Sequence, residues 1–402
     1  MKPKFFKKVL KNGMTVILEK RDLPIVSVAF AVKHGGIHET LKEKGISHFI
    51  EHMLYKGTAT RSAKQIAEEL ERKGGDVNGF TSDECTAYWC KMPSRDLSVA
   101  LDVLSDMVKN PMFDKIELEK ERKVIFEEIR MGHDTPRIHI FNEIQKALYD
   151  GTMDISLAGN FETMNSIDRK KLVEKFEKVY SPNNMILAVV GDADFDELCD
   201  FVEKNFDKKK SEINVQKFDL KNKSIIEERK GIDQANLVLA FHVALCGDKK
   251  SYAAKVLSVL MAEGMSSRLF EEIREKRNLA YAVKGGAEVN KDFAYNFIYV
   301  GTEKQNVEKV KELILEEFEK VAKDLDEKEL KEIKEQMISN YYISMEESQM
   351  QMVNLLYSEI HGDAKNFYEY EKNIFGVKLE DVKELAGKVK KGYSFFALVP
   401  ED

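Results

Sequence analysis

Apolar and polar residues alternate from the start of the chain. Residues 6–10 and 14–19 flank Lys11-Asn12-Gly13, and an Asn-Gly step between two such runs predicts a hairpin. Residues 25–32, Ile-Val-Ser-Val-Ala-Phe-Ala-Val, are almost continuously apolar and predict a central strand. After the Gly35-Gly36 turn the apolar period lengthens. It predicts one helix with Ser47 as its N-cap and Gly57 as its end, then a second from Ser62 to residue 73, closed by Gly74-Gly75. Strands at 76–80 and 86–92 follow, then helices at 96–109, 114–131, 138–149 and 168–179. A strand at 185–190 and a helix ending near residue 206 complete this half.

The second half echoes the first at an offset near 210 residues. Residues 236–243 repeat the pattern of 25–32, residues 264–268 that of 57–61, and residues 325–330 that of 113–118. A repeat this long implies duplicated domains rather than a solenoid. The expected fold class is therefore α+β with two homologous domains. The expected division is 1–210, a linker at 211–226 next to the charged run 208–217, and 227–402. A chain of 402 residues is also too long for one ordinary core.

Composition narrows the function. A net charge of −7 with no basic tract argues against a nucleic-acid partner. Cys85, Cys90, Cys199 and Cys246 form no Cys-x-x-Cys pair, and a disulfide framework is not indicated, which suits a reducing compartment. The basic residues at 1–10 lack the apolar core of a signal peptide, and no window approaches 18 apolar residues. These features lead to the expectation of a cytoplasmic protein with no membrane partner.

One stretch carries chemistry. Residues 45–53 read Gly-Ile-Ser-His-Phe-Ile-Glu-His-Met, which contains His-x-x-Glu-His. Residues four apart share a helix face, so His48 and His52 point the same way and can close on one zinc ion. Glu51 lies beside that face and can serve a water there without being a ligand. The order is that of an inverted zincin signature. On these residues alone a surface histidine pair stands beside the metal reading. Two histidines leave a catalytic zinc one protein ligand short. The strong helix former 117–131 offers Glu121 and Glu128, two turns apart on one face. His34 and His38 lie near the Gly35-Gly36 turn and are not expected as ligands. His242, in an apolar strand, is expected to be a satisfied core histidine.

The whole chain resembles the pitrilysin/insulinase family of zinc metallopeptidases, in the short-chain branch that includes the mitochondrial processing peptidase β subunit. Residues 45–58 are similar to the family's metal helix, 78–88 to its Asn-Ala-x-Thr-Ser-x-Glu-x-Thr-x-Tyr stretch, and 266–281 to its C-terminal motif. The resemblance implies that each domain is a mostly antiparallel sheet with helices packed on one face. It implies one Zn2+ per chain on His48, His52 and Glu128, the last standing 76 residues after His52. Glu51 would be the catalytic base and Glu121 a supporting acid. Asn78 and Gly79 would lie on an edge strand that pairs with extended substrate. Most family members have Ala at the position of Gly79. Arg274 and Tyr281, seven apart, would bind the substrate carbonyl from the second domain. Without the resemblance, Arg274 among Glu271, Glu272 and Glu275 reads as a surface charge. In a by-eye register the metal residues fall on Val256, Val259, Leu260 and Asn340 in the second repeat, so that domain has lost the site.

The resulting expectation is a zinc endopeptidase that cleaves extended peptides or unstructured segments, with two domains closing over the substrate. Family resemblance alone implies a homodimer. A non-catalytic core-type subunit and a peptide-binding module of the same fold are the alternatives.

Overall fold

The computed structural model describes residues 4–401. Residues 1–3 of the basic opening stretch, and residue 402, lie outside the described residues. Two sheets carry the molecule. The first is built from β1 (Lys4–Val9), β2 (Thr15–Lys20), β3 (Ile25–Val32), β4 (Asp76–Thr81), β5 (Thr86–Pro93) and β6 (Met185–Gly191). Its order is β1-β2-β6-β3-β5-β4, antiparallel except for the β2–β6 pair. The second contains β7 (Ser224–Arg229), β8 (Ala235–His242), β9 (Ala280–Val289), β10 (Ala294–Thr302) and β11 (Ser394–Pro400). Its order, β7-β11-β8-β10-β9, reproduces the first without the β1 edge, again with one parallel pair, β7–β11. The shared order is the structural form of the sequence repeat.

Local rules account for the strands. Asn12 Oδ1 accepts from the Met14 N–H (3.0 Å) and Gly13 sits at φ +94°, so the β1–β2 turn needs this pair. In β3, Val26, Val28, Phe30 and Val32 point into the main core of their unit. The residues between them, Ser27, Ala29 and Ala31, are equally buried but lie outside that core. Both faces of β3 are therefore covered, which is why its sequence is apolar throughout.

The helices of the first half include α1 (Ile46–Leu54), α2 (Ala63–Glu71), α3 (Leu97–Lys109), α4 (Lys115–Asp134) and α5 (Pro136–Leu148), followed by Phe161–Ser166, Arg169–Val179 and Phe195–Asn205. Ser62 caps α2 in a capping box with Gln65, as the sequence predicts. The entry of α1 differs from expectation. Its N-cap is Gly45 at φ +92°, and Ser47 lies inside the first turn. The helix also ends earlier than Gly57, at Leu54.

Two compact units form, and each takes chain from both repeats. One contains residues up to 130, 155–217 and 344–367; the other contains 131–154, 218–343 and 368 onward. In the first unit, helix Ser348–Ile360 packs on β3 and β6. There Ser348 Oγ meets Ser27 Oγ (2.9 Å) and Gln351 Nε2 donates to the buried Glu19 Oε2 (2.7 Å). The alanines of β3 leave room for this helix. In the second unit, α5 packs in the equivalent way on β8 and β11, and Ser394 Oγ donates to Ala147 O (2.8 Å). Besides the helices on one face, each sheet therefore carries on its other face a helix exchanged from the other repeat, so the expected single helical face becomes two. In that unit His242 packs edge-on to Tyr149 with its Nε2 2.9 Å from Lys221 O, a structural role.

Candidate metal centre

The first unit brings His48, His52 and Glu128 together. Both histidines lie on α1, one turn apart, and Glu128 lies on α4. His48 Nε2 is 3.2 Å from His52 Nε2, and the two atoms are 3.5 and 3.6 Å from Glu128 Oε2. Three ligands on a tetrahedral zinc with bonds of about 2.0–2.1 Å would stand roughly 3.3–3.4 Å apart, so this triangle fits such an ion. Among the described residues it is the one His/Cys/Asp/Glu group of this kind. Burial, with His52 alongside, holds the His48 imidazole down to about 4, so it is neutral and ligand-competent at ordinary pH.

Glu121, two turns before Glu128 on α4, sits behind the histidines. Its Oε2 is 3.1 Å from His52 Nδ1, and its Oε1 pairs with Lys56 Nζ at 2.7 Å. A carboxylate on the far nitrogen fixes the ring so that Nε2 faces the metal position. His48 Nδ1, by contrast, is buried with no hydrogen-bond partner among the described residues.

Glu51 lies on α1 between the two histidines; burial raises its carboxyl from the ordinary value, against the lowering effect of the Thr81 hydrogen bond and His52, with a smaller push upward from Glu128. β4 is the edge strand of the sheet beside α1. Gly79, in the middle of β4, is adjacent to Glu51: a Cβ there would lie 3.3 Å from Glu51 Oε1 and 2.7 Å from Tyr55 Oη. Asn78 is exposed on the same edge, and its Oδ1 accepts from the Gly79 N–H at 2.8 Å.

The other expected residues belong to the second unit. Arg274 lies on the wide helical turn Phe270–Glu275, and its Nη1 donates to Tyr281 O at 3.1 Å. Its guanidinium also lies over the Phe270 ring, 4.9 Å from the centroid. Tyr281 is half-exposed in β9, with its hydroxyl 3.5 Å from Tyr299 Oη and Asn236 Oδ1. The structure thus pairs these two with each other. Of the second-repeat positions matched by eye to the metal residues, Val256, Val259 and Leu260 are buried in the apolar core and Asn340 is exposed.

Several supporting residues escaped sequence reasoning. The fully buried Glu39 accepts from the Gly45 and Ser47 N–H groups (2.9 and 2.7 Å), supplying the α1 cap that sequence placed on Ser47. Lys44 Nζ lies 4.0 Å from Glu39 and donates to Gly36 O at 3.0 Å. Ser47 Oγ instead meets His34 Nδ1 at 3.0 Å, so His34 braces the helix from outside the metal triangle. Thr81 Oγ1 donates to Glu51 Oε2 at 2.5 Å, and the Tyr55 hydroxyl is buried with no hydrogen-bond partner among the described residues. Thr81 stands inside the 78–88 stretch, at its first Thr, whereas Glu39 carried no signal beyond its place six residues before Gly45.

Comparison with known proteins agrees with this architecture. Residues 15–160 match the model described as insulinase (peptidase family M16), and residues 166–337 match the peptidase M16 inactive domain. A protein of Bacillus subtilis named an uncharacterized zinc protease is 33% identical, over 94% of this chain and 93% of its own length. One of Rickettsia felis with the same description is 31% identical, over 100% and 99%. A crystal structure of a protease from Helicobacter pylori superposes with a TM-score of 0.91 at 22% identity, covering 99% of this chain and 100% of that one. The chain belongs to the insulinase family, peptidase family M16, and has its two-domain fold.

Proposed function

We propose that the protein is a zinc-dependent endopeptidase acting on extended peptides or unstructured segments. The observation that carries this reading is the triangle of His48, His52 and Glu128 donor atoms with Glu51 beside it and an edge strand alongside. The names of the relatives, zinc proteases, point the same way. His48, His52 and Glu128 would hold one Zn2+ per chain. When bound, the ion supplies Lewis acidity and lowers the pKa of a coordinated water to about 7.

Glu51 takes the proton from the attacking water and returns it to the leaving amine. Its environment suits that task, because burial raises a carboxyl toward the range in which it can both accept and give a proton. Glu121 orients His52. The β4 edge, at Asn78 and Gly79, binds the substrate backbone by adding a strand, which selects extended chains. Arg274 and Tyr281 bind the substrate carbonyl region from the second domain, and closure of the two domains over the peptide makes the site complete.

The cytoplasmic location and the homodimer belong to the same proposal. The four cysteines are free thiols, which suits a reducing compartment, and light scattering on the purified protein tests the dimer. Digestion of a mixed peptide pool, read by mass spectrometry, tests the activity. Internal cleavage that Glu51→Gln abolishes supports the endopeptidase. Peptide binding without any product would favour the binding-module alternative.

A further inference from the structure

We infer that Thr81 is a positioning residue that holds the Glu51 carboxylate in its working orientation. The inference rests on the peptidase reading above and goes beyond it by assigning a residue that acts through the base. Glu51 sits on a helix, with three side-chain torsions between its backbone and its carboxylate. Its one side-chain hydrogen bond among the described residues is the one from Thr81 Oγ1 to Oε2, 2.5 Å long. The anchored oxygen leaves Oε1 turned toward Gly79, where a Cβ would approach it to 3.3 Å. One oxygen is therefore tethered to the edge strand, and the other faces the strand's open position.

The tether is useful only if Thr81 is itself immobile, and the hairpin it opens is pinned at several points. Thr81 pairs with Thr86 at the end of the β4–β5 ladder. In the turn between them the Ser82 N–H donates to Cys85 O (2.8 Å) and the Cys85 N–H to Ser82 Oγ (3.1 Å). The Gly36 and Ile37 N–H groups donate to Ser82 O and Asp83 O at 3.1 and 3.0 Å. Glu84 Oε2 lies 2.6 Å from His361 Nε2, just beyond the exchanged helix. A plain strand threonine would contribute only its β-branched shape, which valine reproduces. The hydroxyl is what the inference needs.

The test compares Thr81→Val, Thr81→Ala and Thr81→Ser with the wild-type protein and with Glu51→Gln. Both hydroxyl-free variants should lose about 10- to 100-fold in kcat, the size of a charge-assisted hydrogen bond. KM should stay within about twofold and metal content should not change. Thr81→Ser should recover most of the loss. Crystal structures of the metal-free Thr81→Val or Thr81→Ala protein should show Glu51 in more than one rotamer where the wild type shows one. Unchanged kcat in Thr81→Val and Thr81→Ala, with Glu51→Gln inactive, would overturn the inference and leave the peptidase standing. A wild-type protein that cleaves nothing would instead remove the peptidase reading. A single unchanged Glu51 rotamer in the hydroxyl-free variants would then overturn the positioning role on its own.

Discussion

At the scale of single residues, the proposed metal ligands and the proposed base separate cleanly by experiment. Glu51→Gln removes the proposed proton acceptor but none of the three proposed ligands, so turnover should fall by at least about 100-fold while zinc content holds. Glu121→Gln leaves all three donor atoms in place but loses the carboxylate on His52 Nδ1. Its zinc affinity, measured by competition with a chelator, should fall about 10- to 100-fold. Gly79 offers a sharper case. A methyl group there would stand 2.7 Å from the buried Tyr55 hydroxyl. Gly79→Ala should therefore destabilise the protein by about 1–3 kcal/mol, and Tyr55→Phe in the same chain should recover part of the loss, with the Ala87 carbonyl oxygen still 3.0 Å from the added carbon. A double variant no more stable than Gly79→Ala would contradict this steric account. The helical spacing of His48 and His52 was legible in sequence because it is local. The match of Tyr55 to Gly79 and of Thr81 to Glu51 was not, because each joins a helix to a strand more than twenty residues away.

At the scale of elements, α1 is set by what enters it. The sequence pointed to Ser47 as a cap, since serine before an apolar run is the usual signal. The structure uses Gly45 in the left-handed region and the Glu39 carboxylate instead, leaving Ser47 to meet His34. No periodicity could reveal this, because Glu39 lies on a short turn six residues upstream of Gly45. His34 gives the arrangement a pH dependence. Burial, with His38, Lys175 and Lys178 adding to it, holds this imidazole well below its ordinary value. The folded protein thus resists a proton that the unfolded chain accepts below about pH 6.5. The His34 contribution to stability is complete above that pH and is lost as pH falls toward the folded value. Between pH 7.5 and 5.5 the loss from this group should approach about 1.4 kcal/mol. Urea unfolding at pH 7.5 and 5.5 checks it, and His34→Asn should show a smaller difference between the two than the wild type. An equal difference would exclude His34 as the source.

At the scale of the whole molecule, the duplication was readable from apolar patterns that recur near 210 residues, and both sheets carry the same strand order. The exchange of α5 and helix Ser348–Ile360 was not readable, since amphipathic patterning shows that a helix is buried but not by which sheet. It has a consequence for folding. A fragment ending at residue 210 lacks the helix that covers the alanine face of β3, so it should bind a hydrophobic dye and unfold without cooperativity. Co-expression with the remainder of the chain should restore a cooperative transition, whereas a fragment that melts cooperatively alone would contradict the exchange. The central claim is that the His48, His52 and Glu128 triangle makes this chain a metal-dependent peptidase. Its most direct test is peptide cleavage by the purified protein before chelation, after chelation and after zinc is restored, with Glu51→Gln in parallel. The account predicts internal cleavage that is lost with the metal, returns with zinc and is absent in Glu51→Gln at full zinc loading. Cleavage that survives chelation or the Glu51→Gln substitution, or no cleavage with one zinc bound per chain, would contradict it.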